Sequence, residues 1–432
     1  MILLSISLRT VKVAHHKDTA ELPTRVMPTP QKLLLPMLQH IGRPCTPSVK
    51  VGDVVLKGQV IGDSEEFMSA PIHAPTSGKV TAVRDVLTAG GSYAPAVEIT
   101  ADGEDRAIET APIEVHDRQE LIAATRRLGL VGLGGAGFPT SIKFAPKNPE
   151  ALDTLIINAT ECEPFITSDY REMMENGEEI ADGIEQMVQW MGLSRAIIGI
   201  ENNKPAAVEK MRALARGRYE VKCLPSSYPQ GAEKVIIYHC TGRRVLEGQL
   251  PADQGVLVLN VTSLGNLMRG LRTGMPLTHR RVTVSGDCVA EPANVLAPIG
   301  TSIRELIDFC GGKVGHPAKL LMGGPMMGIS VYSDTLSIVK NNNAILLLSE
   351  KLGLSPEPSP CIRCGRCIRA CPLSLMPTVF EHAWEQQDFS LLEQQKVQLC
   401  MECGCCAYVC PANRPLVQVN RLAKQALRAR KK

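Results

Sequence analysis

Cys361-Ile362-Arg363-Cys364-Gly365-Arg366-Cys367-Ile368-Arg369-Ala370-Cys371-Pro372 is echoed by Cys400-Met401-Glu402-Cys403-Gly404-Cys405-Cys406-Ala407-Tyr408-Val409-Cys410-Pro411. In each copy three thiols step every third residue, and a fourth precedes proline. Three such thiolates wrap one corner of an iron–sulfur cube, while the fourth points into the other cube. The two copies predict two [4Fe–4S] clusters with crossed ligation. The first takes Cys361, Cys364, Cys367 and Cys410; the second takes Cys371, Cys400, Cys403 and Cys406. Zinc also binds Cys quartets, but zinc ribbons pair two separated CxxC knuckles rather than three evenly stepped cysteines. The chain is expected to carry electrons, in a C-terminal α-helical ferredoxin-like domain over 355–432 that begins with the Pro-rich linker Ser355 to Pro360.

The rest of the composition fits that expectation. The chain has 432 residues, 44% of them hydrophobic and 21% charged, which is an ordinary globular balance with room for several cores. Its net charge of +3 does not by itself point to nucleic acid. Nine of the 15 cysteines fall between 361 and 410, and the other six are scattered. That distribution points to a reducing compartment rather than a disulfide framework. The opening MILLSISL has no basic stretch before it and no small-residue cleavage site after it, so it reads as a strand. No run reaches the roughly 18 to 20 apolar residues that span a bilayer. Membrane attachment is expected to come through partners.

Upstream of the cysteines, residues 27–102 read as a small all-β unit. Gly and Pro punctuate the short runs Val49–Asp53, Val54–Gly58, Val60–Gly62 and Ser77–Val83. The phrasing resembles the barrel-sandwich fold of lipoyl and biotinyl carriers. The hairpin that would carry the modifiable lysine reads Glu65-Glu66-Phe67-Met68-Ser69-Ala70-Pro71, with no lysine, so a structural or docking role is expected. Residues 118–262 alternate strand and helix patterns and predict an α/β layer domain. Strands are expected at Leu155–Ile157, Ala196–Ile200 and Gly255–Leu259, and helices at Ile184–Met191 and Ala206–Leu214. Residues 265–348 predict a β-grasp unit resembling the soluble ligand-binding type. In it Val282–Gly286 and Pro298–Ser302 lead into a helix at Ile303–Ile307, and the Gly-rich turn Gly323–Gly328 follows Leu320–Met322.

Gly132-Leu133-Gly134-Gly135-Ala136-Gly137 fits the dinucleotide pattern G-x-G-x-x-G, yet no convincing strand precedes it and Pro139 follows closely. A Rossmann loop is therefore not expected. The longer string to Lys143 closely resembles the flavin- and NADH-binding loop of the complex I flavoprotein subunit. The resemblance implies that bare backbone at Gly132, Gly134, Gly135 and Gly137 approaches a phosphate and an isoalloxazine edge. It further implies that Lys143 adds a cation near phosphate and that Phe138 stacks on the adenine of NADH. Asn158, Glu161 and Glu163 match the family segment that contacts FMN and the nicotinamide side. Glu161 and Glu163 are the expected catalytic-site carboxylates, which hold the nicotinamide and flavin edges without exchanging protons. Thr160 stands where the family has aspartate and Cys162 where it has a small residue. Tyr228 and Glu233 match a further family segment, in which Ala232 replaces a glutamate. Asn260 matches another, in which Leu259 replaces an asparagine.

This order of units, together with Gln39–Gly42 and Ser69–Ala74, is similar to that of the RnfC (RsxC) family, the electron-input subunit of Rnf complexes. The resemblance implies two [4Fe–4S] clusters, non-covalent FMN and NAD(H) as substrate. It also implies a peripheral NADH-dehydrogenase-type subunit on the cytoplasmic face of the cell membrane. Its partners would be integral membrane subunits and a ferredoxin-like iron–sulfur subunit of an ion-translocating oxidoreductase. A soluble corrin reductase of the PduS type shares the flavin and cluster modules but carries its barrel-sandwich domain C-terminally. A flavin-free electron-transfer adaptor is the third alternative.

Smaller features carry expectations of their own. Arg363, Arg366 and Arg369 lie among the first ligands, where they would raise that cluster's potential or simply be solvated. Cys405 reads as a bystander beside Cys406. Arg414 to Lys432 holds seven basic residues and no acidic one, with an apolar stripe at Val419, Leu422, Ala423, Ala426 and Leu427. It would rest on anionic lipid, bind an acidic partner, or stay solvated as a terminal helix. His15 and His16 lack metal spacing and are assigned no chemistry.

Overall fold

The computed structural model describes residues 9–354 and 356–430. MILLSISL, read above as a strand, lies outside the described residues, as do Ser355, Lys431 and Lys432. Among the described residues no helix is long and apolar enough to cross a membrane, and all 15 cysteines are free of disulfides.

The barrel-sandwich unit is two antiparallel sheets. One runs Lys32–Pro36, Tyr93–Ala101, Gly78–Leu87, Val54–Val55; the other runs Thr46–Pro47, Val60–Asp63, Ile72–His73. Alternation along the strands sends Leu33, Leu35, Ile61, Ile72, Val80 and Ile99 into a core without solvent access. Val49–Asp53 is not strand but turn: Gly52 takes φ +99° and the Asp53 carboxylate accepts from Lys50 N at 2.9 Å. Asp and Gly side by side favour that closure over an extended ladder.

The middle domain has a parallel sheet ordered Glu220–Leu224, Arg195–Glu201, Thr154–Ala159, Val256–Asn260. Three of its strands are buried on both faces and read as aliphatic runs, whereas the edge strand Glu220–Leu224 is partly exposed and mixed in character. Leu155 and Ile157 pack toward Ser168–Met191 and Val261–Thr273, while Ile156 and Ile197 meet Ile236 and Ile237 of Glu233–Thr241. The chain leaves Thr154–Ala159 in one direction and later returns to its other side. The order therefore reverses between that strand and its neighbours, which opens a crevice at the strands' carboxyl ends.

The β-grasp sheet has six strands, in the order Arg25–Val26, Ala293–Pro298, His279–Ser285, Ala344–Leu348, Lys319–Met322, Ile329–Ser330. Its second strand lies earlier than the sequence suggested. Pro298–Ser302 turns instead, and Ser302 caps the helix Ile303–Phe309 in a capping box with Glu305. The edge strand Arg25–Val26 comes from the far N-terminus. Residues 9–26 form a strap in which Arg9 Nη1 donates to Ile368 O at 2.8 Å, Val11 pairs with Tyr228, and Lys17 Nζ donates to the carbonyls of Glu161, Glu163 and Ile166. His15 bonds Ser226 Oγ at 3.2 Å and His16 stacks on Phe165 at 4.6 Å, so both histidines belong to this strap.

The cluster domain is built of short helices closed by Leu416–Arg430. Ala423 and Leu427 of that helix pack on Phe380, Ala383 and Leu392. Two residues of the tail's apolar stripe are thus spent on its own domain, where they complete a core that short helices alone leave open, while Leu422 stays 48% exposed.

Lys340 joins three units. Its side chain is 1% exposed, and Nζ donates to Pro71 O of the barrel at 2.5 Å and Gly129 O of the middle domain at 2.7 Å. A neutral amine has two N–H groups for two acceptors, and burial lowers the lysine from 10.5 to about 7. Between those values the unfolded chain binds the extra proton and the folded chain does not, so stability rises with pH from about 7 to about 10.5. Lys340→Met is expected to flatten that rise, read as the pH dependence of the melting temperature.

Candidate functional site

Asn158 and Asn260 are register partners at the carboxyl ends of the two strands that flank the crevice. Beside them sits the glycine loop. It follows the helix Arg118–Arg127 rather than a strand, Val131 bridges to Pro139 across its base, and Thr140–Lys143 begins after Pro139. This geometry is not that of a Rossmann turn. Each neighbouring unit pins the loop. Ile41 N of the barrel donates to Gly137 O at 2.9 Å, and Ser263 Oγ accepts from Leu133 N at 2.8 Å. From the β-grasp unit, Asn341 Nδ2 donates to Gly135 O at 2.8 Å and Arg280 Nη2 to Leu133 O at 2.5 Å. A Cβ on Gly134 would stand 3.1 Å from Asn260 Nδ2, whereas Gly135, at φ +121°, faces open space. The exposed tip at Gly134–Ala136 can thus present bare backbone to an anion.

One observation bears directly on the phosphate of FMN. Arg280 is 1% exposed, it touches the loop, and its Nη1 has no hydrogen-bond partner among the described residues. Burial lowers its pKa to about 10, with Asp169 and Glu172 opposing the shift. An uncompensated buried N–H on a cation is costly, and an anion at the loop relieves it. The residues present fit the group.

The acidic segment is organised by backbone donors. Glu161, at φ +47°, accepts from Asp169 N at 2.6 Å and Tyr170 N at 3.3 Å, which places its charge at the start of Ser168–Met191. Asp169 in turn accepts from Asn260 Nδ2 at 2.7 Å and Thr262 Oγ1 at 2.5 Å. Glu163 accepts from Met326 N at 3.1 Å and Met327 N at 2.8 Å, on the glycine-rich turn of the β-grasp unit. Burial pushes both glutamates up, Glu163 to about 7, and the nearby Lys17 opposes the rise. Asn158 Nδ2 donates to Gly231 O at 2.8 Å while its Oδ1 accepts from Thr160 Oγ1. Lys143 Nζ bonds Glu233 Oε1 at 2.8 Å and Val258 O at 3.0 Å, so its charge is already partnered. Phe138 is half-buried at the base of the loop, where its carbonyl accepts from Gly132 N at 2.8 Å.

The eight motif cysteines line two cavities. Cys361, Cys364, Cys367 and Cys410 line one; Cys371, Cys400, Cys403 and Cys406 line the other. Each quartet draws on both sequence motifs. Among the described residues no three His, Cys, Asp or Glu side chains close on a point that could hold a single metal ion. A zinc ion with sulfurs at about 2.3 Å demands such closure, whereas a cube needs thiols spread around a space. The quartets fit [4Fe–4S] groups. Buried Cys405 borders the second cavity, and its thiol faces Tyr228 O at 3.9 Å.

That second cavity faces the glycine-loop domain. Tyr228, with no solvent exposure, donates its hydroxyl to Cys403 O at 2.7 Å, and Glu163 Oε1 lies 3.5 Å from the same hydroxyl. Gly404 approaches Met326 O so closely that a Cβ would stand 2.8 Å away. Arg421 Nη2 reaches Met327 O at 3.1 Å. Glu163 and Tyr228 of the middle domain, the Met326–Met327 turn of the β-grasp unit and the Cys403 loop therefore form one contact between three units.

Four family profiles match the chain: RnfC barrel sandwich hybrid domain at 8–104, Nuo51 FMN-binding domain at 125–269, SLBB domain at 281–330, and 4Fe-4S dicluster domain at 357–414. The C subunit of the Na(+)-translocating ferredoxin:NAD(+) oxidoreductase complex of Acetobacterium woodii is 37% identical over 96% of this chain and 95% of its own length. The C subunit of the proton-translocating ferredoxin:NAD(+) oxidoreductase complex of Clostridium ljungdahlii is 41% identical over 84% and 80%. Its counterpart in the ion-translocating oxidoreductase complex of Rhodobacter capsulatus is 40% identical over 96% and 82%. The chain belongs to the RnfC family. An NAD+-reducing [NiFe]-hydrogenase shares the fold over 73% of this chain and 62% of that one, with a TM-score of 0.52 and 18% identity.

Against that family background, several organising residues had no motif to mark them. Arg280, Asn341, Ser263, Asp169 and Lys17 each act from far along the chain, and only the spacing of Gly132–Gly137 hinted that something must hold the loop. Tyr228 bonds the cluster domain through its hydroxyl, a role that its place in a flavin-type segment does not suggest.

Tyr228→Phe leaves the buried Cys403 carbonyl without this donor, at a cost of about 1–3 kcal/mol. Iron and flavin content are expected to hold, while loss of one cluster's iron to a chelator accelerates roughly tenfold. Cys410→Ser is expected to disturb the cluster held mainly by the first motif and spare the other, read as loss of one of two signals in the electron paramagnetic resonance spectrum.

Proposed function

We propose that this chain is the subunit at which a membrane complex exchanges electrons with NAD(H), in a reaction that joins NAD(H) and ferredoxin to movement of Na+ or H+. The carrying observation is that one chain holds the pinned glycine loop and both cysteine quartets, with Glu163, Tyr228 and Cys403 in contact between them. The names of the relatives support the same reading. FMN, when bound, converts between a two-electron hydride and single electrons, and [4Fe–4S] clusters carry the single electrons.

The chain's own part is placement. Gly132, Gly134, Gly135 and Gly137 let a phosphate and a ring edge approach, and Arg280 supplies the cation beneath. Phe138 offers a ring to adenine. Lys143, held by Glu233, fixes the end of the loop against the strand at Val258. Asn158 and Asn260 line the crevice, and Glu161 and Glu163 orient the nicotinamide and flavin edges. Both carboxylates already accept backbone N–H groups, so their task is orientation rather than proton transfer. Cys361, Cys364, Cys367 and Cys410 hold one cluster; Cys371, Cys400, Cys403 and Cys406 hold the other. We place the chain at the cytoplasmic face of the cell membrane, attached through integral membrane subunits and a ferredoxin-like iron–sulfur subunit.

Anaerobic purification is expected to give about eight irons and one FMN per chain, two cubes of four irons each. NADH is expected to bleach the flavin and cluster absorbance. Eight irons without flavin and without a response to NADH would reduce the chain to an iron–sulfur adaptor.

A further inference from the structure

We propose that the exposed basic segment carrying the first cysteine motif, with Arg363, Arg366, Arg369 and the adjoining Arg9, is the docking face for an acidic electron-carrier protein. The proposal rests on the function above, in which single electrons reach or leave this chain through its cysteine-held clusters.

The two quartets differ in the exposure of their thiols. In the first, Cys361 and Cys364 are exposed, Cys410 half-buried and Cys367 buried; in the second, Cys371 and Cys400 are half-buried and Cys403 and Cys406 buried, so none is exposed. Ile362, 67% exposed, stands between the two exposed thiols. Arg363, Arg366 and Arg369 are exposed around them. Arg9 joins the group by donating to Ile368 O at 2.8 Å.

Charge pairing in the same domain makes this group stand out. Arg414 is matched by Glu381 and Glu385, Arg421 and Lys424 by Glu402, and Lys396 by Glu247. Among the described residues, neither Arg9 nor Arg363, Arg366 or Arg369 has a carboxylate partner. The last three make no side-chain hydrogen bond either. Four cations without carboxylate partners repel one another, and Arg363, Arg366 and Arg369 make no side-chain bond that helps folding, but together they steer and orient an acidic partner. Exposure also argues against their serving mainly to tune the cluster, since water and salt screen such charges. An anionic membrane would meet the same cations, but it holds no redox centre and leaves the exposed thiols without use. A carrier protein uses both features. One electron passes in each encounter: the donor loses it, the acceptor gains it, and no atom moves.

The test uses the anaerobic holoprotein, a variant combining Arg363→Glu, Arg366→Glu and Arg369→Glu, and a purified acidic [4Fe–4S] ferredoxin as probe. Calorimetry measures binding of the oxidised ferredoxin at low and high ionic strength. Stopped-flow absorbance follows electron transfer from the reduced ferredoxin. The parent protein is expected to bind and react more weakly as salt rises. The variant is expected to lose about tenfold or more at low salt and converge with the parent at high salt. Reduced methyl viologen, a cation, should show the opposite order and react faster with the variant. Equal ferredoxin affinity in both proteins at every ionic strength overturns the docking face. So does a variant that binds ferredoxin normally but loses adhesion to phosphatidylglycerol vesicles. Where charge reversal lowers iron content, the corresponding triple Gln variant replaces it, with an intermediate loss expected. NADH bleaching of the flavin is measured in parallel and is expected to match in both proteins. Its absence from the parent would strike the proposed function, whereas a salt-independent ferredoxin reaction with normal bleaching strikes only the docking face.

Discussion

The carboxylate of Glu163 is the point where three separately folded units meet. It accepts two backbone N–H groups from the glycine-rich turn at Met326 and Met327, and it faces the Tyr228 hydroxyl that donates to Cys403 O. Withdrawing a carboxylate from water is expensive unless donors replace the water. Here both N–H donors come from the β-grasp unit, so the charge is satisfied only when that unit is docked on the middle domain. Glu163 thereby ties the crevice at the sheet's carboxyl ends to the second cysteine cavity. Electron carriers must be held at fixed separation, and a shared buried hydrogen-bond network fixes separation better than a flexible linker.

Basic side chains organise the loops around this junction in the complementary way. Irregular segments have carbonyls with no ladder partner, and each must find a donor. Lys17 gathers the carbonyls of Glu161, Glu163 and Ile166; Lys204 takes Thr160 O at 2.6 Å; Lys340 takes Pro71 and Gly129; Arg280 takes Leu133 and Asn342. Each is placed where several loops cross. The glycine loop has no regular secondary structure of its own and is nevertheless set, because Arg280, Asn341, Ser263 and the backbone of Ile41 hold it.

That arrangement explains what could be read from sequence and what could not. The cysteine quartets and the glycine string are local patterns whose spacing carries their chemistry, and the buried parallel strands announce themselves as aliphatic runs. Arg25–Val26 is two residues long and has no periodicity, so its addition to the β-grasp sheet leaves no trace in the chain. Lys17 and Lys340 look like any surface lysine until the fold brings carbonyls to them. Arg280 shares a strand face with Val282 and Val284, which gives no hint of a loop partner, and its contact with Leu133 spans 147 positions. Pro298–Ser302 misled because a strand that ends in Pro and Gly reads as one run, while the capping box at Ser302 ends it. The tail's apolar stripe fits a membrane or a core equally well by pattern. Only the presence of Phe380 and Ala383 against Ala423 and Leu427 decides for the core.

The two cysteine motifs are near copies, and contact rather than sequence makes them unequal. Gly404 and Glu402 of the second copy are drawn inward, the glycine against Met326 O and the glutamate between Arg421 and Lys424. Their counterparts in the first copy, Gly365 and Arg363, face outward. A glutamate that meets two basic side chains of the final helix is neutralised within the domain. An arginine at the same place in the other copy finds no acid and stays free. Crossed placement of the cysteines then links the halves: Cys371 of the outward copy lines the inner cavity, and Cys410 of the inward copy lines the outer one. Neither cavity can be completed alone, so the inner contact with the crevice and the outer contact with solvent are fixed together. A two-fold repeat becomes a path with two distinct ends because one end is buried against Tyr228 and the other is not.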